Sequence, residues 1–283
     1  MILTNLMMTM MMMSQKKLIL LKVMMTMMNN DELALILVAA GSSARIGFDK
    51  TGTKIKKEYL SMQNGTVLSC AAKTFLSTLK FSTVVVTYPF SENSEKLKQN
   101  AADSKAALFA DDFVKNYDAD FFFVPGGDTR RESVLDALEA IEKACPNCSL
   151  VFIHDGSRPF LKSETVELTY RAASEFGAAV PGLQPVETQK KIDENGFITK
   201  HLVRSSLTAV QTPQVFKFKQ ILEAHRLAAE TNRVFTDDTE IWDEFAAKRK
   251  DENGETLSRV KVVLGDPDNK KITYPEDIKL LDK

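Results

Sequence analysis

Cations and small residues share one stretch of this chain. Ala39-Ala40-Gly41-Ser42-Ser43-Ala44-Arg45-Ile46-Gly47 is followed by Lys54, Lys56 and Lys57. Small side chains let a backbone approach a ligand, and the free N–H groups of such a loop can cradle phosphate oxygens. Arg45 and the lysines would add positive charge where a transferring phosphoryl group builds up negative charge. No Gly-Lys-Ser/Thr follows, so the stretch is not a P-loop. Its only glycines are Gly41 and Gly47, so it is not the dinucleotide fingerprint either. Two plainer readings stand beside the phosphate cradle: a tight strand-to-helix turn, and a solvated basic face.

Three further stretches carry chemistry. Pro125-Gly126-Gly127-Asp128-Thr129-Arg130-Arg131-Glu132-Ser133 sets two glycines and an acid before a helical pattern. It could contact a base or ribose, or be a loop with an N-cap. In His154-Asp155-Gly156-Ser157-Arg158-Pro159, Asp155 is a natural ligand for magnesium or a ribose hydroxyl. The alternative is a structural pair between Asp155 and Arg158. His154 is flanked by an apolar run and reads as a buried, hydrogen-bonded histidine rather than a general base. Thr236-Asp237-Asp238 precedes a helix and is also an ordinary N-cap. Gly265 to Thr273 (GDPDNKKIT) sets two cations next to two acids.

Other constellations fail. Cys145 and Cys148 form a lone C-x-x-C without the second pair that a zinc site needs, and nothing else supports a redox site. His154, His201 and His225 are scattered, and no G-x-S-x-G elbow is present.

The elements that would position these loops alternate. Leu33–Ala39, Thr83–Thr87, Asp120–Val124, Leu150–Ile153, Ala178–Val180 and Val260–Val263 read as strands, the first four as runs buried on both faces. Helical patterns cover 67–79, 91–101, 131–144, 163–176, 219–231 and 237–248. Alternation of this kind predicts an α/β fold, a mostly parallel sheet covered by helices. Ligands of such sheets bind beyond the carboxyl ends of the strands, where the loops above fall. Residues 183–206 break the rhythm. Short alternating stretches around Asn195-Gly196 predict a hairpin, an arm whose exposed edges need a partner.

Composition narrows the classes. Of 283 residues, 44% are hydrophobic and 27% charged, which excludes a disordered tail or a disulfide scaffold. Lys plus Arg is 37 against 38 Asp plus Glu, so no basic excess points to nucleic acid. Three cysteines fit a reducing compartment, hence a cytoplasmic location. Eleven of the 12 methionines lie in residues 1–28. This low-complexity leader, 1–30, reads as disordered or non-native. Its apolar run Leu18–Leu21 is too short for a membrane span and Lys22 interrupts it. One domain, 31–283, is expected to follow.

In order along the chain, Ala39-Ala40-Gly41 with Arg45, Lys57-Glu58-Tyr59-Leu60, Gly126-Gly127-Asp128 with Ser133, and His154-Asp155 with Arg158-Pro159 are followed by Pro185-Val186-Glu187-Thr188, Arg204, Gln211-Thr212-Pro213-Gln214, Thr236-Asp237 and Asn269-Lys270-Lys271-Ile272-Thr273 with Pro275-Glu276-Asp277. Over about Leu33–Leu281 the chain resembles the 2-C-methyl-D-erythritol 4-phosphate cytidylyltransferases. The resemblance implies a Rossmann-like nucleotidyltransferase fold, a homodimer formed through the β-arm, and transfer of CMP from CTP to methylerythritol phosphate with magnesium. It implies that Arg45, Lys57 and Lys271 stabilise the reacting phosphates. Ala39, Ala40, Gly41, Gly127, Asp128 and Ser133 would hold CTP, with Asp155 near ribose, metal or acceptor. Thr188, Arg204 and Thr236 would reach the acceptor phosphate. The chain departs from the family's usual residues at Ser43 (Gly), Phe48–Ile55 (a shorter link), Lys56 (Pro), Gly156-Ser157 (an Ala pair) and Glu187 (Asp). These departures bear on substrate choice, and ribitol 5-phosphate is the alternative acceptor. A catalytically dead nucleotide-binding module would lack the cations that are present here.

Overall fold

The computed structural model describes residues 32–47, 56–250, 254 and 256–281. The Met-rich leader and the segment Phe48–Ile55, with Lys54, lie outside the described residues. β1 (Glu32–Val38) is the axis of the fold. Its side chains alternate between two cores: Leu33, Leu35 and Leu37 enter one, Ala34 and Ile36 the other. A strand buried on both faces needs apolar residues at every position, which is why it reads as a continuous run.

In chain order the elements are β1, β2 (Ser61–Met62), β3 (Gly65–Thr66), α1 (Val67–Thr78), β4 (Thr83–Tyr88), α2 (Ser94–Leu108), α3 (Asp112–Lys115), β5 (Asp120–Pro125), α4 (Arg130–Ala144), β6 (Cys148–Asp155), α5 (Ser163–Phe176) and β7 (Ala178–Leu183). Then come β8 (Lys190–Ile192), β9 (Ile198–His201), β10 (Ala209–Val210), β11 (Gln214–Lys217), α6 (Phe218–Ala229), α7 (Asp238–Phe245) and β12 (Lys261–Leu264). β5, β4, β1 and β6 pair parallel in that spatial order. β11 then inserts antiparallel between β6 and β7. β12 pairs parallel with the other side of β7, since Ala179 is opposite both Val215 of β11 and Lys261 of β12.

Helices α1, α2, α3 and α5 contribute to the core that holds Phe75, Phe81, Phe152 and Tyr170. Helices α4, α6 and α7 contribute to the opposite one, around Leu138, Phe216, Phe218 and Trp242. The expected α/β architecture therefore holds, with corrections. The short elements β2, β3, α3 and β10 and the sheet strand β11 are not among those expected. α2 runs to Leu108 rather than 101, because Ala107 and Leu108 are buried in the core. α7 spans only Asp238–Phe245 rather than 237–248: Asp237 is its cap, accepting from the Thr239 and Glu240 N–H groups.

β8 and β9 form a separate two-stranded antiparallel sheet with every residue exposed. Its turn is set by the Asp193 carboxylate, which accepts from Asn195 N and Phe197 N, with Gly196 in the left-handed region at φ +84°. The hairpin expected around Asn195-Gly196 is present. Among the described residues no helix is long and apolar enough to cross a membrane.

Phe75 ties α1 to the sheet, with edge contacts to Phe81, Phe152 and His154 at ring-centroid distances of 6.1, 6.0 and 4.9 Å. Removing a fully buried aromatic ring loses transfer energy and leaves a cavity. Phe75→Ala should cost about 3–5 kcal/mol in urea unfolding. A loss below about 1 kcal/mol would show that this core is not the one holding α1 in place.

Candidate active site

An open cleft of about 1060 Å³ lies where the loops after β1, β5 and β6 meet. Its lining includes Ala40, Gly41, Arg45, Lys57, Gly127, Asp128, Ser133, Asp155 and Lys271. So every nucleotide-site and catalytic residue expected from sequence is brought to one place, except Ala39. Ala39 is buried beneath the loop, its N–H donating to Thr87 Oγ1 at 3.0 Å.

Close backbone approach explains the glycines of the β5 loop. A Cβ on Gly126 would sit 2.3 Å from Ala40 Cβ and 2.7 Å from Ser133 Oγ. Glycine there lets the two loops that would frame a nucleotide touch each other. The same loop feeds α4 through a capping box. Thr129 Oγ1 accepts from Glu132 N at 3.2 Å, and Glu132 Oε2 accepts from Thr129 N at 3.0 Å. That box fixes the start of α4 and with it Arg130.

Asp155 is the electrostatic centre. It ends β6 and is only 6% exposed. Lys271 Nζ stands 2.9 Å from Oδ2, Arg158 Nε 3.1 Å from Oδ2, and Arg130 Nε 3.9 Å from Oδ1. Burial opposes ionisation, but Lys271, Arg130 and Arg158 outweigh it and hold the carboxyl below the usual carboxylate range. The Asp155–Arg158 structural pair weighed from sequence is real, and it coexists with the site. Arg130 is the cation that sequence reasoning missed. It also bonds Asp238 Oδ2 at 2.7 Å, and Asp238 is fully buried beside His225. Its one sequence signal is its place as the first residue of the helix after the glycine loop.

Lys57 and Arg45 complete the cationic wall. Lys57 is 8% exposed, and burial lowers its pKa, with Lys271 and Lys56 pushing the same way. Among the described residues its ammonium makes no ion pair, so its charge faces the cleft without a neutralising contact. Arg45 lies over the Tyr274 ring, 5.5 Å from its centroid.

His154 is the buried, hydrogen-bonded histidine expected. Thr212 Oγ1 accepts from Asp155 N at 3.2 Å, which leaves its hydroxyl to donate to His154 Nδ1 at 2.9 Å. His154 Nε2 then donates to Arg158 O at 3.2 Å. The network thus assigns the tautomer protonated at Nε2, and no ring nitrogen is left for acid–base work. The cysteines are structural too. Cys145 and Cys148 are free and buried, and burial pushes the Cys148 thiol far up, which disfavours the reactive thiolate.

The residues expected at the acceptor phosphate stand apart from the cleft in this chain. Thr188 lies on the exposed lead-in to β8, and Arg204 Nη1 donates to Val186 O at 2.7 Å. Thr236 Oγ1 donates to Glu240 Oε2 at 2.9 Å. Among the described residues no group of three or more His, Cys, Asp or Glu is placed to hold a metal.

A mostly parallel sheet with a cation-lined cleft beyond its carboxyl edge defines a nucleotide-binding α/β protein. More narrowly, residues 33–282 match the family model of 2-C-methyl-D-erythritol 4-phosphate cytidylyltransferase, and the chain belongs to that family. It is 34% identical over 245 residues to the protein of that name from Clostridium botulinum (strain Eklund 17B / Type B), covering 85% of this chain and 93% of that one. The Clostridium beijerinckii protein of the same name is 32% identical over 229 residues, 81% and 89% of the two chains. The fold is shared with the crystal structure of 4-diphosphocytidyl-2C-methyl-D-erythritol synthase from Anaerococcus prevotii, with a TM-score of 0.67 at 24% identity, covering 91% of this chain and 97% of that one.

The burial of His154 has a consequence for acid stability. Burial lowers its pKa from 6.5 to about 4. Between those values the unfolded chain binds a proton that the folded chain does not. Stability from this group is therefore present above about pH 6.5 and lost as pH falls toward 4. The loss is about 3 kcal/mol at 1.36 kcal/mol per pKa unit. Unfolding free energy measured from pH 7 to 4 should show that slope in the wild type and lack it in His154→Gln. Equal slopes in both would contradict the assignment.

Proposed function

We propose that this chain transfers CMP from CTP to 2-C-methyl-D-erythritol 4-phosphate, giving 4-diphosphocytidyl-2-C-methyl-D-erythritol and pyrophosphate. The observation that carries this is the convergence of Arg45, Lys57, Asp155 and Lys271 on one cleft at the sheet's carboxyl edge, in a member of that family. The relatives' names favour methylerythritol phosphate over ribitol 5-phosphate as acceptor.

The chemistry needs positioning and charge more than a base. An oxygen of the acceptor phosphate, already anionic near neutral pH, attacks the α-phosphorus of CTP. The new P–O bond forms as the bond to the β-phosphate breaks, and pyrophosphate leaves with the electron pair. Lys57 and Arg45 stabilise the crowded α-phosphate and the leaving group, and Lys271 holds the α-phosphate or the incoming one. Ala39, Ala40, Gly41, Gly127, Asp128 and Ser133 frame the nucleotide.

Magnesium suits this donor set in one mode. The ion accepts one or two carboxylates alongside substrate phosphates, and Asp155 is a buried, ionised carboxylate that lines the cleft. Bound there, the metal would neutralise phosphate charge, held mainly by CTP.

Residues 31–283 act as one catalytic domain in this reading, with 183–206 as an arm. The exposure of Ile192, Phe197, Ile198 and Val203 at 58%, 71%, 55% and 67% supports pairing with a second copy. Thr188 and Arg204 would then serve the neighbouring subunit's acceptor site, with Thr236 beside them. In this reading the enzyme is a cytoplasmic homodimer, and sedimentation should give twice the chain mass.

The test is pyrophosphate release with CTP and magnesium, offering methylerythritol phosphate and ribitol 5-phosphate in parallel. Release with the first alone is expected, and release with neither would contradict the reading. Lys57→Ala should lower turnover by several powers of ten, each worth about 1.4 kcal/mol of barrier. Near-normal turnover by that variant would remove Lys57 from the mechanism.

A further inference from the structure

Lys56 does not behave as a surface lysine. Its side chain is 16% exposed, and three oxygens of the described residues lie against its ammonium. It donates to Ala39 O at 2.6 Å and to Gly41 O at 2.7 Å, and it pairs with Glu58 Oε2 at 2.7 Å. Two of these oxygens are carbonyls of the loop after β1. A carbonyl facing a polyphosphate would repel it, and an ammonium seated on two of them offsets that repulsion.

The third oxygen matters more. Glu58 is 2% exposed, and a carboxylate so buried requires a cation. Two lysines adjoin it in sequence. Glu58 is paired with Lys56, while among the described residues Lys57 makes no ion pair although Glu58 is the strongest charge raising its pKa. Glu58 also meets Ser43, whose hydroxyl donates to Oε2 at 3.4 Å and accepts from Lys57 N at 3.3 Å. Ser43 has φ +52°, a conformation that favours glycine, so these contacts also hold the loop in an unfavourable backbone shape.

We propose that Lys56 is a positioning residue for the reaction: it binds the loop carbonyls and occupies Glu58, so that Lys57 stays unpaired and directed at the nucleotide's phosphates. This deepens the functional reading above and rests on it. Without the Lys56 ammonium, the buried Glu58 carboxylate would draw on Lys57, the next cation along the chain. The site's net charge would fall by one, and the charge withdrawn from the phosphates would be that of Lys57, the unpaired cation.

The test uses four full-length proteins: wild type, Lys56→Met, Glu58→Gln and the double variant. Each is assayed for pyrophosphate release and, separately, for CTP affinity by calorimetry with magnesium, with thermal unfolding as the check on folding. Lys56→Met should lower kcat at least tenfold and weaken CTP at least tenfold. The double variant should recover most of both, because it has no carboxylate to capture Lys57. A role confined to supporting the loop predicts equal losses in the single and double variants, and that result would overturn the proposal. So would a Lys56→Met protein that binds CTP like the wild type. Should Lys56→Met fail to fold, the double variant decides alone: near wild-type affinity supports the proposal, and a loss as large as that of Lys57→Ala overturns it. Wild type that binds CTP but releases no pyrophosphate would sink the reaction assigned above, while the affinities still decide the role of Lys56. Wild type that binds no CTP contradicts both.

Discussion

Asp155 is 6% exposed and ionised, a state that a carboxylate reaches in a protein interior only when cations surround it. The cations come from three distant segments: Arg130 opens α4, Arg158 follows β6 and Lys271 lies near the C-terminus. Each must be placed by its own backbone. The capping box at Thr129 and Glu132 sets Arg130. The bond from Arg158 Nη1 to Asn269 O at 2.8 Å, with Asn269 Nδ2 on Thr212 O at 2.9 Å, ties the C-terminal loop to the loop before β11. One buried charge thereby fixes the relative positions of three loops at the edge of the sheet. Among the described residues the cleft lining keeps more cations than carboxylates: Arg45, Lys56, Lys57, Lys96, Arg130 and Lys271 against Glu58, Asp103, Asp128 and Asp155.

Arg130 extends this constraint to the far core. It joins Asp155 to Asp238, which is fully buried at the first residue of α7 next to His225. Asp237, one residue earlier, caps that helix and accepts from Gln214 Nε2 at 2.9 Å, and Gln214 begins β11. Thr236 belongs to the same turn. The segment suggested for acceptor binding is thus anchored to the nucleotide side by a chain of hydrogen-bonded and ion-paired groups rather than by apolar packing.

Much of this was legible in the sequence, for identifiable reasons. β1, β4, β5 and β6 are apolar runs that end in glycine, proline or charged residues, so both the strands and the loops beyond them could be placed. The hairpin was legible because Asn195-Gly196 marks a turn, although it closes through five residues, 193–197, in which only Gly196 takes a positive φ. β11 was not. Four residues at Gln214–Lys217 carry no periodic signal, and their strand conformation comes from pairing with β6 and β7 on either side. The end of α2 was lost because residues 101–107 (AADSKAA) hold no large apolar side chain to continue the periodic pattern, and burial of Ala107 and Leu108 decides it. Among the site residues, those in small-residue loops were found. Arg130 was missed because its second partner is 108 residues away, and the value of Lys56 depends on which of two adjacent lysines Glu58 selects.

In the proposed reaction the cation-rich cleft built around Asp155 receives the triphosphate of CTP. A crystal structure of the protein with CTP and magnesium tests this directly. The cytosine is expected against Gly127 and Ser133, the α-phosphate between Lys57 and Lys271, and Asp155 beside the metal or ribose. CTP bound at another place, with Arg45, Lys57 and Lys271 contacting no phosphate, would contradict it.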